Sequence, residues 1–419
     1  MVTAPAAFNR SYAIVNATAV TMAPLGARAS DDSAVGDDDL GLLEQAVIIV
    51  REGRIKAVGP YADRASDVAR VEAEGGPICD VGGKVVVPGL IDAHTHALFA
   101  GERLADFEAL AAGRSPPLGI SYTVRQTRAA APDALLAVGK RHLEWMRDHG
   151  TTTAELKTGY ALDAAGEVRM LAAMAELDAM TPLPHIVATF CGAHALPPEF
   201  ADHEDFVDEL CDRILPAVIE TKIAKFADAF CELGFFSVDQ SRRFLEACAA
   251  LGLGLRVHAD ELSPAGGALL AAKLRCSSAD HLNFVDAEGA AALARARVVG
   301  ILCPTTVDYL NLPRWPPARM LIDGGVRVAL ATDFNPGTSP CFSLQRAAHL
   351  ARRKLGMSIA ETLAAVTVWP AASLGLVGQA GCLAPGCKAD MAILKIDDHR
   401  EFGYYDGGNL VAQTLIGKA

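Results

Sequence analysis

A chain of 419 residues is longer than one hydrophobic core usually organises, so a large barrel or two domains is expected. Hydrophobic residues make up 51% and charged residues 21%, which excludes a mostly disordered chain. With 38 Lys and Arg against 50 Asp and Glu, the net charge is −12; the footprint of a nucleic-acid binder is missing, and an anionic ligand must be held by a few placed cations.

Met1–Arg10 has no basic segment followed by an apolar core, so no secretory signal is expected. Val- and Ile-rich strands are predicted at Ser11–Met22, Ala46–Ala57 and Ile78–Val87, broken by turn residues such as Glu52-Gly53 and Gly82-Gly83. Between the first two, Arg28–Leu43 carries Asp31, Asp32, Asp37, Asp38 and Asp39 and reads as a solvated acidic loop. From Lys84 the pattern becomes strand, loop and helix, repeated. Apolar strands are predicted at Val85–Asp92, Thr151–Leu156, His185–Phe190, Phe226–Phe230, Leu253–Val257, Ser278–Leu282, Val298–Leu302 and Val326–Ala331. Amphipathic helices separate most of them, among them Ala134–His149, Ala164–Leu177, Val238–Leu251 and Ala287–Ala296. After a helix at Ile359–Leu374, strands return at Ala389–Ile396 and Leu410–Ile416.

Eight such units over roughly 250 residues are the size of a (β/α)8 barrel. The expected fold class is therefore α/β: a (β/α)8 TIM-like barrel over residues 85–379, with a small β-sandwich domain formed from both termini, 1–84 and 380–419. An open doubly wound sheet is the alternative, but neither GxGxxG nor GxxxxGKS/T occurs after any of these strands. The ten cysteines include no CxxC pair and read as reduced thiols in a cytoplasm. No apolar run approaches the ~20 residues of a membrane helix, so no membrane association is expected.

Barrel enzymes place reactive groups at the C-terminal ends of strands. Strand one ends in Asp92-Ala93-His94-Thr95-His96, and strand three runs into Cys191-Gly192-Ala193-His194. Strand five ends in His258-Ala259-Asp260-Glu261, strand six in Asp280-His281, and strand eight in Thr332-Asp333-Phe334-Asn335-Pro336-Gly337. Five of the eleven histidines fall at these ends. His94 and His96, two apart on a strand, point the same way and can reach one ion. With His258 and Asp333 they make three imidazoles and a carboxylate, a donor set for Zn²⁺ or a similar divalent cation. A bridging lysine is missing from the end of strand four, so one ion is expected, and Lys157 reads as part of a structural ion pair. Such an ion acidifies a bound water. Asp333 can then serve as ligand and base, Glu261 as proton shuttle, and His281 as support for the water or the developing oxyanion. Arg103, in the loop after strand one, is the natural anchor for a carboxylate. Tyr160 and the run Asn335, Gly337 and Thr338 offer further substrate contacts, whereas His142, His149 and His349 read as helix-surface residues.

These residues resemble the amidohydrolase superfamily, and more narrowly the imidazolonepropionase family, over nearly the whole chain. The resemblance rests on Pro88–His96 continuing through Phe99–Arg103, on Thr151–Asp163, Gly192–Pro198, Phe230–Ser241, His258–Glu261, Ser278–Leu282 and Ala331–Gly337. It implies a single Zn or Fe ion on His94, His96, His258 and Asp333. It implies a pocket for a small anionic substrate that uses Arg103, Tyr160, His194, Asn335, Gly337 and Thr338, with Glu261 and His281 near the reacting carbon. The implied reaction adds water to 4-imidazolone-5-propanoate and opens its ring to N-formimino-L-glutamate. A homodimer is expected by analogy with such folds. The alternative within the superfamily is a deaminase or another cyclic-amide hydrolase acting on a small carboxylated heterocycle. Two segments depart from the family pattern: the acidic stretch Arg28–Leu43, and the stretch at 113–119, where the family usually has a longer, glycine-rich loop.

Overall fold

The computed structural model describes residues 11–29 and 34–418. Met1–Arg10, expected to lack a secretory signal, and Asp31 and Asp32 of the expected acidic loop lie outside the described residues. The N-terminal apolar segments form β1 (Tyr12–Val20), β2 (Leu42–Arg51), β3 (Arg54–Pro60), β4 (Ile78–Asp80) and β5 (Val85–Pro88). The expected strand Ala46–Ala57 is thus two strands. Glu52 and Gly53 both take positive φ, 53° and 67°, which fits a tight two-residue hairpin turn. Along β2 the side chains alternate between two buried clusters: Val47 and Ile49 join Val68 and Val71 of the helix Tyr61–Ala73, while Ile48 and Val50 join Ile14, Val86 and Ile393. With both faces covered, the strand reads as an unbroken apolar run rather than an alternating one. The stretch Arg28–Leu43, expected to be a loop, includes a 3₁₀ turn at Asp37–Leu40, and Asp39 accepts a hydrogen bond from Arg28 at 2.7 Å.

The barrel follows as β6 (Leu90–Thr95), β7 (Thr151–Lys157), β8 (His185–Ala193), β9 (Phe226–Cys231), β10 (Gly254–Ala259), β11 (Ser278–His281), β12 (Val299–Leu302) and β13 (Val328–Leu330), parallel and in sequential order. The C-terminal strands β14 (Met391–Leu394) and β15 (Val411–Leu415) return to the first sheet, where β14 pairs antiparallel with β5. Both ends of the chain therefore build one mixed sheet, ordered β15-β14-β5-β1-β2-β3 with β4 also on β1. The expected strand Val85–Asp92 divides at Gly89, its first half in that sheet and its second half in the barrel. A Cβ at Gly89 would fall 2.1 Å from Thr152 Oγ1, so only glycine lets the chain cross here. The expected helix Ile359–Leu374 is likewise two helices, Ile359–Ala365 and Val368–Ser373; Pro370 has no N–H to carry a continuous ladder.

Barrel closure falls at the residues singled out for chemistry. Asp333 N–H donates to His94 O and His96 N–H to Phe334 O, both at 3.0 Å, and Thr95 bridges Phe334. One turn lower, the buried Asp92 carboxylate accepts from Thr332 Oγ1 at 2.6 Å and Thr332 N at 3.1 Å. Burial raises the Asp92 carboxyl to about 7, with Thr332 opposing it. All ten cysteines are free, and no helix of the described residues is long and apolar enough to cross a membrane.

His142 corrects its surface expectation. It is fully buried, its Nδ1 lies 2.8 Å from Ala97 O, and its ring packs on Phe99 and Phe334. Burial lowers its pKa from 6.5 to about 4. Between those values the unfolded chain binds the extra proton, so this residue's stabilisation is present above pH 6.5 and lost as pH falls towards 4. On the order of 2–3 kcal/mol is at stake. Urea denaturation from pH 7 to pH 4.5 is expected to show a shallower loss of stability in His142→Asn, which keeps the donor but cannot titrate; an unchanged slope would refute this.

Candidate active site

His94 stands near the C-terminal end of β6 and His96 one residue past it, His258 on β10, and Asp333 just beyond β13 with φ 51°. All four are buried. His94 Nε2 lies 3.5 Å from Asp333 Oδ1, His96 Nε2 lies 3.8 Å from the same oxygen, and His96 Nε2 lies 3.2 Å from His258 Nε2. A tetrahedral ion with bonds of about 2.0–2.1 Å needs donor separations of about 3.3–3.4 Å. The three spacings lie near that value, and His94, His96 and Asp333 each bring a donor atom within 4.8 Å of the others. The ring tautomers agree with such a cage. His94 Nδ1 faces Asp280 Oδ2 at 2.6 Å and His258 Nδ1 faces Asp228 Oδ1 at 3.1 Å, so each Nδ1 donates and each Nε2 presents a lone pair inwards. His94 Nε2 has no hydrogen-bond partner among the described residues. Burial and neighbouring cations hold His94 and His96 well below the ordinary histidine range; at His258 burial works the same way, but the Asp228 carboxylate outweighs it. These donors are of the kind that a divalent cation takes.

Beneath the histidines, the barrel interior is charged. Lys157 Nζ bonds Glu155 Oε1 at 2.8 Å and Asp228 Oδ2 at 2.5 Å, and lies 3.7 Å from Asp280 Oδ2. Arg256 donates to Ala93 O at 2.6 Å and lies 3.7 Å from Asp280. Lys157 is thus an ion-pair residue, as its position suggested. It also joins the two carboxylates that orient His94 and His258. Asp228 and Arg256 were missed from the sequence, and Asp280 was noted only as a strand end. Arg256 did carry a signal, charge at inward positions two apart within an apolar strand, Arg256 and His258, as with Glu155 and Lys157.

Above the ligands a cavity of about 240 Å³ is lined by Arg103, Tyr160, His194, Glu261, His281, Asn335 and Thr338, with His96, His258 and Asp333 at its floor. Ile120, Phe230, Phe235, Leu262 and Leu310 complete the wall; none was expected, because an apolar residue at a loop looks like any core residue. Gly337 does not line the cavity. Its backbone lies under Arg103, where an added Cβ would come 1.9 Å from Nη1. Asn335 is committed to its own loop: Oδ1 accepts from Gly337 N at 2.8 Å and Thr338 N at 2.7 Å, and Nδ2 donates to Asp333 O. His194 stacks on His96 with Nδ1 against Gly159 O at 2.9 Å, leaving Nε2 as an acceptor. The Tyr160 loop is held by buried Glu167, which accepts from Gly159, Ala161 and Leu162 N–H. Glu232 holds the Glu261 loop through Leu262 N at 2.8 Å. Burial and the nearby Asp333 raise Glu261 to about 8, and burial raises Asp333 to about 6 against a Thr306 hydrogen bond. His281 lies 3.7 Å from Glu261, and neither of its nitrogens has a hydrogen-bond partner among the described residues.

An eight-stranded parallel barrel with this constellation at the strand ends has known relatives. Residues 85–416 match the amidohydrolase family, and the chain belongs to it. A zinc-bound variant of an atrazine chlorohydrolase from Arthrobacter aurescens, complexed with atraton, shares the fold at TM-score 0.71 and 16% identity, covering 97% of this chain and 94% of the other. Within the family the chain groups with the imidazolonepropionases. That of Rubrobacter xylanophilus is 43% identical over 389 residues, covering 90% of this chain and 92% of its own. That of Bdellovibrio bacteriovorus is 39% identical over 421 residues, covering 99% and 97%. The chain is a hydrolase acting on a cyclic amide.

Replacing Lys157 with Met would leave Glu155 and Asp228 buried without their shared cation. Lys157→Met is expected to lose about 3–5 kcal/mol of stability in urea unfolding. An unchanged midpoint would mean that the lattice is not ionised as drawn.

Proposed function

We propose that this chain hydrolyses 4-imidazolone-5-propanoate to N-formimino-L-glutamate, a step of histidine degradation, with one Zn or Fe ion on His94, His96, His258 and Asp333. The observation that carries the reading is the cavity's polarity: its floor is the histidine and carboxylate cage, and Arg103 stands on its wall with Nη1 and Nη2 unpaired among the described residues. A bound divalent cation supplies Lewis acidity towards water and the ring carbonyl. Asp333 is a carboxylate at neutral pH and sits where it can take a proton from the attacking water. Glu261 is the better donor, since burial keeps its carboxyl protonated at neutral pH, and it delivers that proton to the departing ring nitrogen. His281, neutral and otherwise unpartnered, supports the oxygen that gains charge. The free Nε2 of His194 accepts from a ring N–H, and the Tyr160 phenol, kept protonated by burial, donates to the substrate. Arg103 pairs with the propanoate, so the net acidity of the chain does not oppose an anionic substrate. The relatives' shared name supports this reading over a deaminase. Ten free thiols support a reducing compartment such as the cytoplasm.

A turnover assay with imidazolone propanoate beside neutral cyclic amides and amino-heterocycles is expected to show activity on the carboxylated ring. Arg103→Ala is expected to raise KM for it by roughly 10- to 100-fold, the loss of a charge-assisted pair. An unchanged KM would remove the carboxylate contact. Chelation is expected to abolish turnover and added Zn²⁺ or Fe²⁺ to restore it, whereas full turnover by metal-free protein would contradict the mechanism.

A further inference from the structure

Arg103 opens the helix Leu104–Ala111, and its orientation is set from outside the cavity. Its Nε donates to Asp106 Oδ2 at 2.6 Å. Asp106 is itself buried, and the rest of its carboxylate is occupied: Oδ1 accepts from Leu118 N at 2.7 Å and Oδ2 from Gly119 N at 3.1 Å. Burial would raise this carboxyl, but the Leu118 amide, Arg103 and the Gly119 amide outweigh it and keep it ionised. The two amides end the short 113–119 segment and begin the helix Gly119–Ala129, whose Ile120 lines the cavity. On the opposite side Gly337 leaves just enough room for the guanidinium.

An arginine side chain left to itself samples many rotamers, and binding an anion would have to freeze one of them. Here Nε is already engaged, so the Nη1 and Nη2 edge is the part left to the cavity. We propose that Asp106 is a positioning residue for substrate selection: it aims the terminal fork of Arg103 and locks it to the 113–119 segment, making the site selective for a ring that bears a carboxylate. The proposal rests on the reading of Arg103 as the carboxylate anchor.

The test is steady-state kinetics with imidazolone propanoate and with its neutral propanamide counterpart, in wild type, Asp106→Asn, Arg103→Met and the double variant. Asp106→Asn is expected to raise KM for the carboxylated substrate by about tenfold, with the loss on KM rather than kcat. KM for the amide should not move, and in the Arg103→Met background the second substitution should add nothing. Should Asp106→Asn fail to fold, Asp106→Glu keeps the charge, moves it by one methylene and is expected to show the same split at smaller size. Equal effects on both substrates, or full additivity with Arg103→Met, would show that Asp106 only staples the loop and would overturn the proposal. If Arg103→Met raises KM while neither Asp106 variant does, the anchor stands and the positioning role falls. If Arg103→Met itself has no effect on KM, the anchor reading fails and takes the proposal with it.

Discussion

Asp92 and Thr332 lie 240 positions apart in the chain and meet through a carboxylate that accepts two hydrogen bonds inside the barrel wall. With the backbone contacts Asp333 to His94 and His96 to Phe334, they close the first strand onto the last. Without that seam, His94 and His96 would stand on one free edge of a sheet and Asp333 beyond the other. The geometry of the cage is thus a consequence of barrel closure, and the hydrogen bonds that close the barrel come from the backbone of the candidate ligands themselves. A change that loosened the seam would spoil the donor spacing and the fold together.

The second constraint is electrostatic. Lys157 and Arg256, two cations, sit among Glu155, Asp228 and Asp280, three carboxylates, all buried. Isolated, any of them would cost several kcal/mol to bury; they persist because each is paired. The Asp228 and Asp280 pair lies directly under the imidazoles. It fixes two histidine tautomers with the lone pairs facing inwards and makes the floor of the site favourable to a cation. The cavity above is different in kind: its wall mixes one arginine and several polar side chains with the apolar Ile120, Phe230, Phe235, Leu262 and Leu310. A polar head on a flat ring and an anionic tail are the two features such a space can separate.

Much of this was legible in the sequence, and the reasons are physical. Histidines and acids at the C-terminal ends of predicted strands mark a barrel site because strand ends are where a barrel exposes side chains, and His94, His96, His258 and Asp333 do converge. The pairing of the two chain ends followed from their shared strand character. Less legible was where one strand stops: Val85–Asp92 is one apolar run, and only the crowding of Gly89 against Thr152 divides it between two sheets. The roles of Asp228 and Asp280 were hidden for a related reason, since a carboxylate in a strand shows its partner only once the closed barrel brings other strands, among them those of His94, Lys157 and His258, around it. His142 was misplaced because a histidine in an amphipathic helix carries no sign of which way it faces. Asp106 was invisible because its partners lie three, twelve and thirteen residues away in segments of no regular pattern.

The central claim is that one divalent cation is held by His94, His96, His258 and Asp333 at the barrel seam. Anomalous diffraction at the zinc and iron edges, on crystals of the metal-loaded protein, tests it most directly. The account requires a single peak about 2.0–2.2 Å from one nitrogen of each of the three imidazoles and from an Asp333 oxygen. A peak instead among Cys191, Asp228 and His258, one of the neighbouring clusters of metal-binding donors, would contradict it, as would no peak in protein that turns over substrate.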